Sequence, residues 1–283
     1  MWEKKNKISK YDLSISKEHA DYLKSIKRED YFIRITQILI FVFFIAIWEW
    51  AARYKYIDVF LTSSPNAIYN LIVKFLEDGS LIKHLYVSTM ETIAGFFVGT
   101  ILGLLTAIVL WWFKRLARIM DPYIVILNSL PKTALAPIII LWAGMGFSGI
   151  VATAASISVI VTTMTLYTGF INVENDKIVL LKTMGANKIQ VLKKVIIPSN
   201  IPNIMSVVRV NIGLSWIGVI VGEFLVSKAG IGYLILYGSQ TFKLDLVMMG
   251  VFVLGVVAAI MYFLEAWLEK IVIKYWRIVF FVI

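Results

Sequence analysis

The chain has 283 residues, 59% of them hydrophobic and 16% charged, and a soluble domain of this size could not hide so much apolar surface. A formal net charge of +10 would suggest nucleic acid as the partner of a soluble protein; in so apolar a chain the placement of Lys and Arg matters more than their sum, and no nucleic-acid partner is expected. The absence of cysteine excludes disulfides, thiol nucleophiles and cysteine metal sites.

Residues 1–34 are polar, mixed in sign and rich in lysine. Such a stretch ahead of the first apolar run does not read as a cleavable signal peptide. A cytoplasmic N-terminal tail is expected, with a short surface helix over Ser16–Glu29 carrying Tyr22, Leu23 and Ile26 as its apolar stripe. The membrane domain is placed at 35–277. Its six apolar segments run approximately Ile35–Ala52, Met90–Phe113, Ile119–Trp142, Ile150–Ile171, Ile201–Phe224 and Leu246–Leu268. Each is near the roughly twenty residues that a helix needs to cross a bilayer core. The predicted fold class is an all-α membrane protein with about six transmembrane helices. Of the 28 Lys and Arg residues, 20 fall in the tail, in Lys114–Arg118, in the 171–203 loop and after the last span, against 6 in the pieces between. The positive-inside rule then puts both termini and the 171–203 loop in the cytoplasm. The last apolar residues, Ile278–Ile283, are too few to span and are set apart as a short tail.

Between the first two spans, SSPNAIYNLIVKFLEDGS reads as a helix that Ser64 and Pro65 start and Gly79 ends. Its stripe of Ile68, Leu71, Ile72, Phe75 and Leu76 is too short to span, so it should lie in the interface plane. The second span carries Gly95, Gly99 and Gly103 in a double GxxxG, followed by Ala107. That spacing predicts a close helix contact, within the subunit or across a dimer. The third span holds Pro122, Pro131 and Pro137 and must be bent or broken. The fourth is rich in Ser and Thr (Thr153, Ser156, Ser158, Thr162, Thr163, Thr165), whose hydroxyls can bond their own backbone.

The fifth span holds Arg209, Asn211, Ser215, Trp216 and Glu223. Arg209 and Glu223 fall on one helical face about 21 Å apart, too far to pair. A cation inside a span costs about 2.5–3.5 kcal/mol, so Lys132 and Arg209 should face a partner or a water-filled cavity. One reading is structural: each neutralises broken-helix carbonyls or snorkels. The other is functional: Lys132, Arg209, Asn211, Ser215 and Trp216 line a translocation pathway, with Glu223 guarding its outer end. Two cations along one route would favour a small anion or zwitterion.

The polar island between the fourth and fifth spans, INVENDKIVLLKTMGANKIQVLKKVIIPSNIPN, puts Ile178, Leu181 and Met184 on one helical face. It then does the same with Ile189, Leu192, Val195 and Ile196. Gly185 can take φ > 0 past a helix end, Asn187 is a natural N-cap, and Pro198 fits a first turn. Two short amphipathic helices at an angle are expected.

A glycine thirteen residues ahead of a proline, in KTMGANKIQVLKKVIIP, resembles the cytoplasmic coupling loop of ABC importer permeases. The family's Glu-Ala-Ala falls here on Val179-Leu180-Leu181. The Ser-Pro start at Ser64, the STMETIAGFFVGTILG run, PKTALAP with LWAGMG, and the Gly-Ile-Gly-Tyr after the fifth span are similar to the nitrate/sulfonate/taurine-type branch. The resemblance covers roughly Phe60–Leu268. It implies the type I ABC importer permease fold in a bacterial-type cytoplasmic membrane. It also implies a homodimer of permeases in lipid, two copies of a separate ABC ATPase, and an extracytoplasmic substrate-binding protein. The loop would then enter a groove on the ATPase through Ile178, Val179, Leu180, Leu181, Met184, the Gly185 bend and Ala186. Lys182 and Lys188 would lie at the polar rim, and Pro198 would close the motif. The substrate would be sulfonate-, nitrate- or taurine-like, or a vitamin precursor.

No G-x-x-x-x-G-K-[ST] occurs, so this chain is not expected to hydrolyse ATP itself. His19 and His84 fall on opposite sides of the predicted membrane, and neither a nucleophile elbow nor H-E-x-x-H is present. No enzyme activity, metal site or cofactor is expected. The competing reading is a stand-alone secondary transporter or channel, although no internal repeat or midplane acid of the kind such proteins use is visible. A structural scaffold would leave the two-helix loop without a purpose.

Overall fold

The computed structural model describes residues 17–281. The first sixteen residues of the expected tail, and the last two of the apolar C-terminal stretch, lie outside the described residues. The chain divides into two compact units, meeting between Ala67 and Ile68.

In the first unit, α1 (Lys17–Arg53) is one continuous helix, where the sequence suggests a surface helix and a separate span from Ile35. No Gly or Pro interrupts those 37 residues, so nothing forces a break between the polar and apolar parts. Its apolar side chains, such as Phe41, Phe43 and Phe44, are exposed, as lipid-facing residues would be. Asp58 caps the short α2 (Val59–Thr62) by accepting from the Phe60 N–H at 2.9 Å. Glu49 pairs with Arg53 at 2.6 Å and accepts from the Asn66 N–H at 3.1 Å, joining the end of α1 to the start of α3 (Pro65–Glu77).

In the second unit, α4 (Ser80–Trp112), α7 (Phe147–Ile171), α11 (Ile201–Val226) and α13 (Leu244–Phe281) are long apolar helices. Among the described residues five helices are long and apolar enough to cross a membrane, α1 included, and a bent pair brings the number to six if it counts as one span. That pair, α5 (Lys114–Ser129) and α6 (Lys132–Ala143), bends by 104°. The third span, expected to be bent or broken at its prolines, is two helices. Pro131 offers no N–H, and it forces Leu130 into an extended conformation, φ −68° and ψ 139°. Pro122 and Pro137 lie inside α5 and α6 without ending them. Lys132, placed mid-span by the sequence, is the first residue of α6.

The centre of this unit is α7, which packs on α4 along one side and on α11 along the other. On α4 the contact row is Gly95, Gly99, Gly103 and Ala107, all buried. A Cβ on Gly95 would come to 2.6 Å from the Ala154 Cβ, and Cβ atoms on Gly99 and Gly103 would run into Ser158 and Thr162. The facing row of α7 is thus Ala154, Ser158 and Thr162. On α11, Gly218 sits against Ala154, and Gly222 against Ile150. Small residues let the backbones approach in an environment where close packing replaces the hydrophobic drive. Several α7 hydroxyls return to their own helix, as Thr153 does to the Gly149 carbonyl at 2.8 Å. Helix α12 (Ile231–Gln240) packs against α13 and α11.

Candidate functional site

The loop between α7 and α11 begins with α8 (Asn175–Thr183). It ends at Gly185, whose φ is +83°. The Ala186 N–H bonds the Leu181 carbonyl at 3.0 Å and the Gly185 N–H bonds the Lys182 carbonyl at 2.9 Å. This paired closure is a Schellman motif, and it needs the left-handed conformation that glycine takes without cost. The chain then re-enters a helix at once. The Asn187 side chain accepts from the Gln190 N–H at 2.9 Å while Gln190 Oε1 accepts from the Asn187 N–H at 2.8 Å, a reciprocal capping box that starts α9 (Lys188–Val191).

Leu192–Ile196 continue as a π-helical turn into α10 (Ile197–Ser199). Pro198 has no N–H for the Lys194 carbonyl, and the register shifts in the preceding turn, with the Ile197 N–H reaching back to the Leu192 carbonyl. Val191, Leu192 and Ile196 are buried in one apolar cluster with Ala107, Leu166, Phe170 and Val207. The loop is anchored to α4, α7 and α11 by ordinary core packing.

Exposure divides the loop residues singled out from sequence. Ile178, Leu181 and Ala186 pack onto that cluster. Val179 (56%), Leu180 (61%) and Met184 (80%) are exposed instead. Met184 leaves the stripe of Ile178 and Leu181 because it is the C-cap, at φ −81° and ψ 7°, already turning toward Gly185. Lys182 is exposed and Pro198 half-buried. Lys188 is turned toward its own chain: its Nζ donates to the Trp112 carbonyl at 2.5 Å and lies over the Trp112 and Trp111 rings.

The residues proposed for a pathway do not converge on one open space. Asn211 is fully buried, donating to Thr100 Oγ1 at 2.9 Å and Thr162 Oγ1 at 2.7 Å, so that it ties α11 to α4 and α7. Its Oδ1 and the Ser215 hydroxyl, one helical turn apart, are buried without a partner. Trp216 Nε1–H points to the Met261 sulfur at 3.2 Å. Glu223 is fully buried, so it does not stand open at the end of a pathway. It accepts from the Ser88 hydroxyl and the Gly232 N–H, both at 2.5 Å, and from the Tyr233 N–H at 3.4 Å. Ser88 Oγ in turn accepts from the Ile231 N–H at 2.7 Å, and His84 Nδ1 from the Gly230 N–H at 2.9 Å. The Glu91 carboxyl lies against that of Glu223.

Arg209 is not a free cation. It pairs with Glu265 at 3.2 Å and with Glu269, and its guanidinium lies 5.8 Å from the Tyr262 ring centre. Two carboxylates four residues apart on α13 share one helical face, a spacing that the sequence displays and that points to a cationic partner. Lys132 Nζ bonds the Asn128 carbonyl at 3.1 Å and its Oδ1 at 3.2 Å, across the break between α5 and α6. Among the described residues it has no acidic partner.

A cavity of about 600 Å³ opens beneath the loop, lined by Thr165, Thr168, Asn172, Ser199, Asn200 and Asn203 among others. Glu174 and Lys177, paired at 3.0 Å, stand at its edge. None of Lys132, Arg209, Asn211, Ser215, Trp216 and Glu223 lines it. Among the described residues no cluster of acidic or histidine side chains could hold a metal ion.

Comparison with known proteins places this architecture. A probable ABC transporter permease of Haemophilus influenzae is 27% identical over 237 residues, covering 83% of this chain and 96% of the relative. A putative aliphatic sulfonates transport permease of Bacillus subtilis is 28% identical over 236 residues, 82% of this chain and 84% of the relative. A formylaminopyrimidine transport permease of Halalkalibacterium halodurans is 30% identical over 69% of this chain and 77% of the relative. Among solved structures, a chain of the MetNI methionine ABC transporter in an inward-facing conformation superimposes with a TM-score of 0.62 at 15% identity, covering 68% of this chain and 95% of that one. The fold is that of the type I ABC importer permeases. The family described as binding-protein-dependent transport system inner membrane component matches residues 99–274, more than half of the chain. The chain is a multi-pass membrane transport component and belongs to that family.

Proposed function

We propose that the chain is the permease subunit of an ATP-driven importer. It pairs with a second copy to form the translocation pathway, and two copies of a separate ATPase supply the energy. An extracytoplasmic binding protein delivers a small solute. Both termini and the 171–203 loop face the cytoplasm, as the Lys and Arg distribution favours. The names of the relatives, for aliphatic sulfonates and formylaminopyrimidine, favour a small polar solute: a sulfonate, nitrate or taurine-like anion or zwitterion, or a vitamin precursor.

The observation that carries this reading is the outward side of α8. Val179, Leu180 and Met184 are exposed on a loop whose opposite side, through Ile178 and Leu181, already packs on the bundle. A short helix with one apolar side engaged and another open suits helix-in-groove docking to a partner. Val179 and Leu180 stand where the family carries Glu and Ala, so the contact is apolar here. Lys182 and the Gly185 turn border it.

The test is co-purification. When the chain is expressed with the ATPase it works with, detergent-solubilised wild type should retain the ATPase. Leu180→Glu and Met184→Glu, both at exposed positions, should lose it without changing the yield or elution of the permease. Equal retention by both variants would show that this face is not the docking surface. Solute uptake by the wild type with no ATPase present would overturn the importer reading as a whole.

A further inference from the structure

We infer that Lys188 is a strut through which the loop drives the elbow between α4 and α5. This rests on the reading of the loop as the docking point of an ATPase. Trp112 is the last residue of α4, and a single residue, Phe113, separates it from α5 at Lys114. Its carbonyl is among the last four of a helix, which have no partner within the helix. Lys188 Nζ takes that carbonyl at 2.5 Å. The ammonium also lies 4.7 Å from the Trp112 ring centre and 5.6 Å from that of Trp111. A cation at a helix C-terminus is favoured by the helix dipole, and a cation over an indole face by the ring quadrupole. Three attractions thus converge on one side chain.

On the other side of the contact, the backbone of Lys188 is held firmly. It is the first residue of α9, fixed by the Asn187–Gln190 capping box and three positions past the Gly185 turn. The exposed face of α8 lies before that turn. Displacement of α8 has two routes into the membrane domain. One is the apolar cluster around Val191, Leu192 and Ile196, which feeds α7 and α11 as well as α4. The other is Lys188, which acts at the single point where α4 meets the broken pair α5–α6.

The far side of that route is also built. Helix α4 runs unbroken for 33 residues from the elbow. Near its other end, His84 and Ser88 bond the Gly230 and Ile231 amides at the start of α12. A pull on the Trp112 carbonyl is therefore a pull on a rod whose opposite end holds the segment after the fifth span. The side chain that the sequence assigns to the rim of the ATPase contact acts within its own chain.

The absence of native cysteine makes the test direct. Lys114→Cys places a fluorophore at the elbow, next to the Trp111–Trp112 quenching pair. In the full complex with its ATPase, in lipid nanodiscs, ATP plus orthovanadate should change the fluorescence. Lys188→Met should lose most of that change while ATPase binding and basal ATP hydrolysis remain, and Lys188→Arg should keep it. An undiminished change in Lys188→Met overturns the strut. Loss of ATPase binding in Lys188→Met also overturns it, because the lysine would then belong to the docking face. If the Lys114→Cys parent with Lys188 intact binds no ATPase, the reading of the loop fails before the strut is reached.

Discussion

The Ser88 hydroxyl donates to the Glu223 carboxylate at 2.5 Å, joining α4 to α11 across 135 residues of sequence. The same carboxylate receives the Gly232 and Tyr233 amides, so one buried side chain fastens three elements. Truncating it leaves those donors buried and unpaired, at about 1–3 kcal/mol for each group that finds no new partner. Glu223→Ala is expected to lower the thermal denaturation midpoint of the detergent-solubilised protein. Phe224→Ala, at an exposed neighbouring position on α11, should leave it near wild type. Equal midpoints for the two variants would remove the fastening role.

That relationship also marks where the sequence stops being informative. The spans are legible because six apolar runs have bilayer length. The turn at Gly185 and the cap at Asn187 are legible because local backbone chemistry selects those residues. Ser88 and Glu223 carry no such signal: nothing in STMETIAGFF says which distant acid a serine will meet. Arg209 gives a middle case. The i, i+4 spacing of Glu265 and Glu269 is visible, but their partner lies on another helix, and only packing brings the three together. Met184 fails for a local reason, since helical periodicity does not hold through a C-cap.

The seam between α4 and α7 leaves no room for side chains. Gly99→Val should force the helices apart, because a Cβ there meets the Ser158 side chain and lies 3.2 Å from the Ala155 Cα. Overpacking of this kind costs about 1–3 kcal/mol. Gly213→Ala is the matched control, with no neighbouring atom within 4 Å of the added Cβ. Size-exclusion profiles and denaturation midpoints should separate the two. A Gly99→Val protein as stable as Gly213→Ala would mean that the seam opens at no cost.

Arg209 and Glu265 should behave as a coupled pair. Glu265 is buried, with its side chain 3% exposed, whereas that of Arg209 is 38% exposed. Arg209→Met leaves a buried carboxylate with its partner gone, which is more damaging than removing both charges. The double variant Arg209→Met/Glu265→Met is expected to be more stable than Arg209→Met alone. Additive losses in the thermal midpoint would show that the two side chains do not interact. The pairing also bears on the solute: with Arg209 neutralised by Glu265 and Glu269, Lys132 is, of the two cations expected within spans, the one without an acidic partner among the described residues.

Lys132 therefore decides between two accounts of the α5–α6 break. Its Nζ holds the Asn128 carbonyl and side chain, which ties the two arms of the 104° bend. If that is its whole role, Lys132→Met should lower the denaturation midpoint while the protein that stays folded takes up solute at the wild-type rate. If its charge also attracts the solute, the same variant should cut uptake with the midpoint, dimer formation and ATPase binding unchanged. A charge held inside the bilayer costs about 2.5–3.5 kcal/mol, so removing a purely structural lysine should cost transport little once the fold tolerates it. Lys132→Arg separates the accounts further, because it keeps the charge while changing the geometry at Asn128. We expect Arg to retain more uptake than Met, measured with whichever of labelled alkanesulfonate, taurine and nitrate the wild type accumulates. Wild-type uptake by Lys132→Met would remove the lysine from the pathway and leave it as the tie across the break.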